Sequence, residues 1–190
     1  MKARWHRWAL SGIAVAFATA GLITSVNAEE KQDVEKAKLG DKARPFGEMT
    51  WVQGEAFDPS KTDGKSIYVV EFWATWCGPC RSSIPHLDQL YDKYKDEGVK
   101  VVGISLDDDA ATVKEFLGEK KDDMSYAVAY DEDGKATQNY MSAFSKTGIP
   151  QAFIVDTEGK VVWEGHPMAG LDEAVEKYKP KMEDTAKKAE

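Results

Sequence analysis

FWATWCGPCRSSIP, Phe72–Pro85, holds both cysteines of the chain, three positions apart after an apolar run. Two thiols this close cannot staple a fold, because the loop they close is too short to remove much unfolded-state entropy. Chemistry is the better reason for the pair. The spacing admits a redox dithiol, half of a metal site or a haem attachment. Haem attachment needs His directly after the second cysteine, where Arg81 stands, so that reading fails. A structural zinc site needs four ligands, and His86 and His166 lack the paired spacing such sites use. A Cu(I) carrier with both thiolates and one histidine stays open, since soft thiolates select Cu(I).

The residues around the pair supply its scaffold. Upstream, SIYVVEFW (66–73) is apolar on both faces apart from Glu71, the pattern of a central strand covered on both sides. Downstream, Pro79 opens a helix whose face is Ile84, Leu87, Leu90, Tyr91 and Tyr94, with Pro85 expected to kink it. VKVVGISL (99–106) is the next central strand, and Asp107 to Asp109 is read as the cap of a helix through Val113, Phe116 and Leu117. MTWVQGEAF (49–57) is a weaker strand pattern. A short strand at 126–130 is followed by DEDG and a helix through Tyr140 to Phe144. QAFIVD and VVWEG, joined by TEGK, read as a hairpin, and a charged helix starts at Leu171 and is interrupted at Pro180. Alternating strands and helices closed by a hairpin predict an α/β protein with a central mixed sheet flanked by helices. The dithiol then lies beyond the carboxyl end of a strand, where sites of open α/β sheets form.

The ends of the chain set its compartment. Met1 to Trp8 carries Lys2, Arg4 and Arg7 with no acid, an apolar run follows to Ile23, and SVNA leads into EEKQD. That layout predicts a signal peptide over 1–28 cleaved after Ala28, the other reading being an uncleaved membrane anchor. Either way the remainder is exported, to the periplasm or another extracytoplasmic space. Cleavage leaves 162 residues with 22 Lys and Arg against 33 Asp and Glu, a balance of −11. So acidic a surface argues against nucleic acid or anionic membrane as a partner. Residues 29–42 read as a charged, mobile tail or frayed helix, and 43–190 as the folded domain. In an oxidising compartment a dithiol stays reduced only if electrons are continually supplied.

Position assigns the two sulfurs different roles. At a helix N-terminus the unpaired amides and the macrodipole favour negative charge, so Cys77 is the lower-pKa, attacking thiol. Cys80, one turn inside, is shielded and resolves the mixed disulfide. Trp73 is expected in the core and Trp76 on the substrate surface. Arg81 is an exposed first-turn cation, while His86 and His166 are expected in structural or loop positions.

VVEFWATWCGPC resembles the active-site segment of thioredoxin-like proteins. The wider pattern is similar to the exported TlpA-type redoxins, in LGDKARPF, IPHLDQLYDKY and GIPQAFIVDTEGKVVWEGHP, over roughly Leu39 to Leu171. The resemblance implies a thioredoxin fold and thiol–disulfide exchange with oxidised protein thiols, with no cofactor beyond the Cys77–Cys80 disulfide. It implies that Pro150 is cis and faces the dithiol, and that Ile149 offers its backbone to an extended substrate beside Trp76, Gly78 and Pro79. Gln151 stands where many relatives have Thr. An acid inside an apolar strand needs a purpose. In this family a carboxylate at the position of Glu71 lies beneath the dithiol, where burial raises its pKa and lets it exchange a proton with Cys80. The Gly-Pro pair resembles reducing thioredoxins, which implies a reductase fed by a membrane electron donor. Cytochrome c assembly and copper-site assembly are uses that the resemblance offers without choosing between them. A peroxidase is the enzymatic rival, although peroxiredoxins place Thr three positions before the reactive cysteine, where Ala74 stands.

Overall fold

Strand β2, Ile67–Trp73, is buried at all seven positions, which is what its unbroken apolar sequence demands of a central strand. The computed structural model describes residues 34–120 and 123–181. β2 pairs in parallel with β3, Val99–Ser105, and antiparallel with β5, Gln151–Val155. β3 pairs in parallel with β4, Ala127–Asp131. β1, Met49–Gln53, and β6, Val161–Gly165, close the edges in the order β1-β4-β3-β2-β5-β6. The sheet is mixed, as the alternation followed by a hairpin requires.

The period of two along β2 sorts its side chains to two cores. Tyr68, Val70 and Phe72 enter an aromatic layer with Phe46, Tyr140 and Phe153. Val69 and Trp73 enter the opposite layer with both cysteines. That second layer receives Ile84, Leu87, Leu90 and Tyr94 of α1, Gly78–Tyr94, with α2, Ala110–Glu119, and α4, Leu171–Tyr178. The helical period of α1 is read correctly from its sequence, and the helix runs on through Pro85. A short α3, Lys135–Thr137, continues as a π-helical turn, Gln138–Ser142, over the aromatic layer.

Two expectations change. Residues 34–42, expected as part of a mobile tail or frayed helix, form an extended strap on the domain: the Ala37 N–H donates to Ala143 O at 3.0 Å and the Gly40 N–H to Val161 O at 2.8 Å. Lys42 bridges Lys160. Edge strand β6 has unpaired backbone groups, and the strap satisfies some of them, a tertiary demand that local charge does not reveal. Second, Asp109 alone caps α2, accepting from the Thr112 N–H at 2.7 Å; Asp107 is used elsewhere. The expected signal segment, 1–28, lies outside the described residues, and among those described no helix is long and apolar enough to cross a membrane.

Candidate active site

The chain leaves β2 at Trp73 and turns into α1 within four residues. That turn is fixed by backbone and by one carboxylate. Cys77 N–H donates to Ala74 O at 3.1 Å, and Leu106 N–H donates to Trp73 O at 2.8 Å. Asp107, 7% exposed, accepts from the Thr75 N–H at 3.0 Å, the Thr75 hydroxyl at 2.6 Å and the Ser105 hydroxyl at 2.7 Å. A buried carboxylate with three donors is well compensated, and here it ties the loop before the dithiol to the end of β3. Sequence reading assigned Asp107 to a helix cap and missed this brace. Acidic residues after a strand carry both meanings, and only the pairing of β2 with β3 separates them.

Cys77 is the N-cap residue of α1, and its sulfur accepts from the Cys80 N–H at 3.2 Å. Gly78 and Pro79 form the exposed first turn, where the missing proline N–H would have had no helical partner. Cys77 and Cys80 are joined as a disulfide, the former 6% exposed and the latter fully buried. Cys77 Sγ lies 3.9 Å from the carbonyl oxygen of Ile149, and the Ile149–Pro150 bond is cis. Ile149 is half-buried and Pro150 buried beside the pair. Trp76 stands 67% exposed on the rim, whereas Trp73 is fully buried against Phe116. Beside the first turn of α1, a groove of about 310 Å³ runs between Gly78, Arg81 and Pro85 and the residues Phe116, Lys120 and Asp123.

Glu71 is fully buried on the dithiol side of β2. Its nearest donor is weak: the Ser83 hydroxyl is 3.4 Å from Oε1 and gives its single hydrogen to Cys80 O at 2.8 Å. Oε2 has no hydrogen-bond partner among the described residues. Burial therefore dominates over that hydrogen bond and pushes the carboxyl up from its ordinary 4.5 to about 8. At neutral pH the group holds a proton, and Ser83, one helical turn from Cys80, lies between the two.

The remaining expected residues divide. His86 meets Asp172 of α4 at 2.9 Å, a structural contact between helices. His166 is exposed in a loop and accepts from the Met168 N–H. Gln151, next to the cis proline, donates to Glu164 at 3.1 Å, and Glu164 also pairs with Lys146, a polar rim that sequence reading left undrawn. Among the described residues no three His, Cys, Asp or Glu side chains form a metal-binding group.

The Redoxin family profile matches residues 38–177, well over half of the chain. The chain belongs to the redoxin family. This redoxin is 34% identical over 130 residues to the thiol-disulfide oxidoreductase ResA of Bacillus cereus, a match spanning 68% of this chain and 70% of that protein. ResA of Oceanobacillus iheyensis is 27% identical over 165 residues, 84% of this chain and 81% of the relative. Among solved structures, a thiol:disulfide interchange protein of the thioredoxin family from Chlorobium tepidum superposes with a TM-score of 0.58 at 27% identity, covering 75% of this chain and 98% of that one. The redoxin has the thioredoxin fold, and it is a thiol–disulfide oxidoreductase whose CxxC pair is Cys77 and Cys80.

Proposed function

We propose that this redoxin reduces disulfides of exported polypeptides with its CxxC dithiol as the sole redox group, recharged by a membrane-bound dithiol donor. One observation carries the reading. Cys77 caps a helix N-terminus while Cys80 is buried behind it, linked through Ser83 to the buried carboxyl of Glu71, which burial raises to about 8. In the reduced protein the Cys77 thiolate attacks a substrate disulfide: that S–S bond breaks, a mixed disulfide forms, and the substrate's other sulfur leaves as a thiolate. In the minor fraction of molecules whose Glu71 is ionised, Cys80 gives its proton to that carboxylate and attacks Cys77 Sγ, which frees the second substrate sulfur and closes the Cys77–Cys80 bond. Two electrons reach the substrate. Donor dithiol reverses the sequence, and Glu71 returns the proton to the departing Cys80 sulfur.

Trp76, Gly78, Pro79, Ile149 and Pro150 make the substrate surface in this reading, the Ile149 carbonyl meeting the extended segment that carries the substrate cysteine. Residues 1–28 direct export, with cleavage after Ala28 or retention as an anchor. The Gly78–Pro79 pair resembles that of reducing thioredoxins and supports a potential nearer the −270 mV of thioredoxin than the −120 mV of DsbA, a gap of about 7 kcal/mol for two electrons. The test is a measured reduction potential together with Cys80→Ser expressed in cells, which traps mixed disulfides on Cys77 and names the substrates. A potential near −120 mV makes the protein an oxidant and overturns the reductase reading.

A further inference from the structure

The active-site carboxyl has buried company that the exchange scheme does not use. Glu71 of β2 pairs in register with Gly103 of β3. Parallel neighbours point to the same face, so the space above Gly103 adjoins the Glu71 side chain. A Cβ at Gly103 would sit 2.9 Å from Trp73 Nε1 and 3.3 Å from Tyr126 Cε2. The absent side chain lets the indole and the phenol close over β3 beside the carboxyl. Trp73 and Tyr126 are both fully buried. Trp73 Nε1, the Tyr126 hydroxyl and Glu71 Oε2 each lack a hydrogen-bond partner among the described residues. Three orphaned polar atoms in one apolar layer ask for a common explanation. A buried water typically makes about three hydrogen bonds to such groups.

We propose that the unpartnered polar ends of Glu71, Trp73 and Tyr126 share one internal water, and that through it Tyr126 acts as a positioning residue for the proton Glu71 exchanges with Cys80. Trp73 can only donate to this water, whereas Tyr126 and the carboxyl can donate or accept. When Glu71 is ionised, the water turns a hydrogen toward Oε2 and is held by the tyrosine and the indole. When Glu71 is protonated, the carboxyl donates and the water turns round. Hydrogen bonds to a charged group are the stronger ones, so the arrangement favours the carboxylate and keeps the Glu71 proton available.

The groups that face this interior are few. From α1 and its N-cap come Cys80, Ser83 and Cys77, and from the entry to β4 comes Tyr126, its ring packed edge-on against Tyr91 at 6.5 Å. Asp88 of α1, which accepts from the Ser125 N–H and hydroxyl, acts on Tyr126 electrostatically from the rim. From α2, Phe116 brings a ring against Trp73, and β5 contributes Ala152 opposite Glu71. His86 is engaged with Asp172 of α4.

The inference rests on the Glu71 role proposed above, and its test separates the two. Infrared difference spectra of the oxidised protein across pH follow the carboxyl C=O band, which Glu71→Gln assigns by removing it. Tyr126→Phe keeps the ring and removes only the hydroxyl. It is expected to shift the band's frequency and to raise its titration midpoint by roughly half to one pH unit, with the pH profile of thiol exchange moving equally. In the Glu71→Gln background the same change is expected to leave the exchange profile where it was. A midpoint and band unmoved by Tyr126→Phe, with Glu71→Gln still flattening the exchange profile, overturns the water bridge and leaves the Glu71 role standing. An exchange profile indifferent to Glu71→Gln overturns both.

Discussion

The two faces of β2 are made by alternate residues of the same seven, yet they are built to different rules. On one face Phe72 joins Phe153 at 5.9 Å edge to face, and Phe153 meets Tyr140 at 5.5 Å and Phe144 at 5.4 Å. The sole orphaned polar atom there, among the described residues of that core, is the Tyr140 hydroxyl. On the other face Glu71 and Trp73 bring polar atoms into an interior they share with the disulfide. Burying a group without a partner costs about 1–3 kcal/mol, more if it is charged. The aromatic face therefore supplies stability, and the dithiol face gives some of it up to hold a titratable group away from bulk solvent. A protein needs only a few kcal/mol of surplus to remain folded, so one face can carry this expense while the other offsets it.

The largest test of that division is on the packing side. Phe153→Ala removes a fully buried ring from the aromatic layer and is expected to cost about 3–5 kcal/mol in urea unfolding. The exchange rate of the molecules still folded, and its pH profile, should stay those of the parent. A displaced pH profile would break the division, because packing on one face would then set proton chemistry on the other.

Glu71→Gln tests the opposite face, and its sign is opposite too. The carboxyl is raised from 4.5 to about 8 by burial, so its contribution to folding is intact below about pH 4.5. It declines as pH rises and is fully lost above about 8. At about 1.4 kcal/mol per pH unit the whole decline approaches 5 kcal/mol, and about 3 kcal/mol of it is present at pH 7. The glutamine variant should therefore be more stable than the parent at pH 7 and more so at pH 9, with little difference at pH 4.5. Thiol exchange should slow at the same time and lose its pH dependence. Denaturation of the oxidised protein at the three pH values reads the first effect. Parallel stability curves for the two proteins would mean that another group carries the slope.

How much of this could be read from the chain follows the same division. The strand Ile67–Trp73, the helical face of α1 and the cap position of Cys77 are local patterns, and each reappears in the structure. The expectation of an odd acid in β2 was legible because one carboxylate interrupts an apolar run. Its neighbours were not. That Tyr126 and Trp73 meet over Gly103 depends on the register of β2 with β3, which no single segment encodes. The strap at 34–42 was misread for the same reason: charge content says nothing of an edge strand more than a hundred residues away that has backbone groups to satisfy.

Asp107 gives the smallest and most discriminating test, because it joins the loop before the dithiol to the end of β3 without a hydrogen bond to either sulfur. Asp107→Asn keeps the shape but replaces one acceptor oxygen with a donor. The amide nitrogen cannot accept, so the Thr75 or Ser105 hydroxyl facing it must turn round and accept instead, and the charge that strengthens all three bonds is gone. The expected loss is about 1–2 kcal/mol of stability, and the loop that sets Cys77 over the helix N-terminus gains freedom. Misplacement of a reacting atom by a fraction of an ångström costs part of the hundredfold that a full ångström can cost, so exchange should slow by roughly three- to tenfold. Its pH profile should not move, since the variant leaves Glu71 and its surroundings intact. Thr75→Val and the double variant complete the cycle, and an interaction energy near zero would show that the brace is not what holds the loop. A slowed rate with a fixed profile would separate placement of the nucleophile from management of the proton, two tasks that β2 serves at positions only a few residues apart.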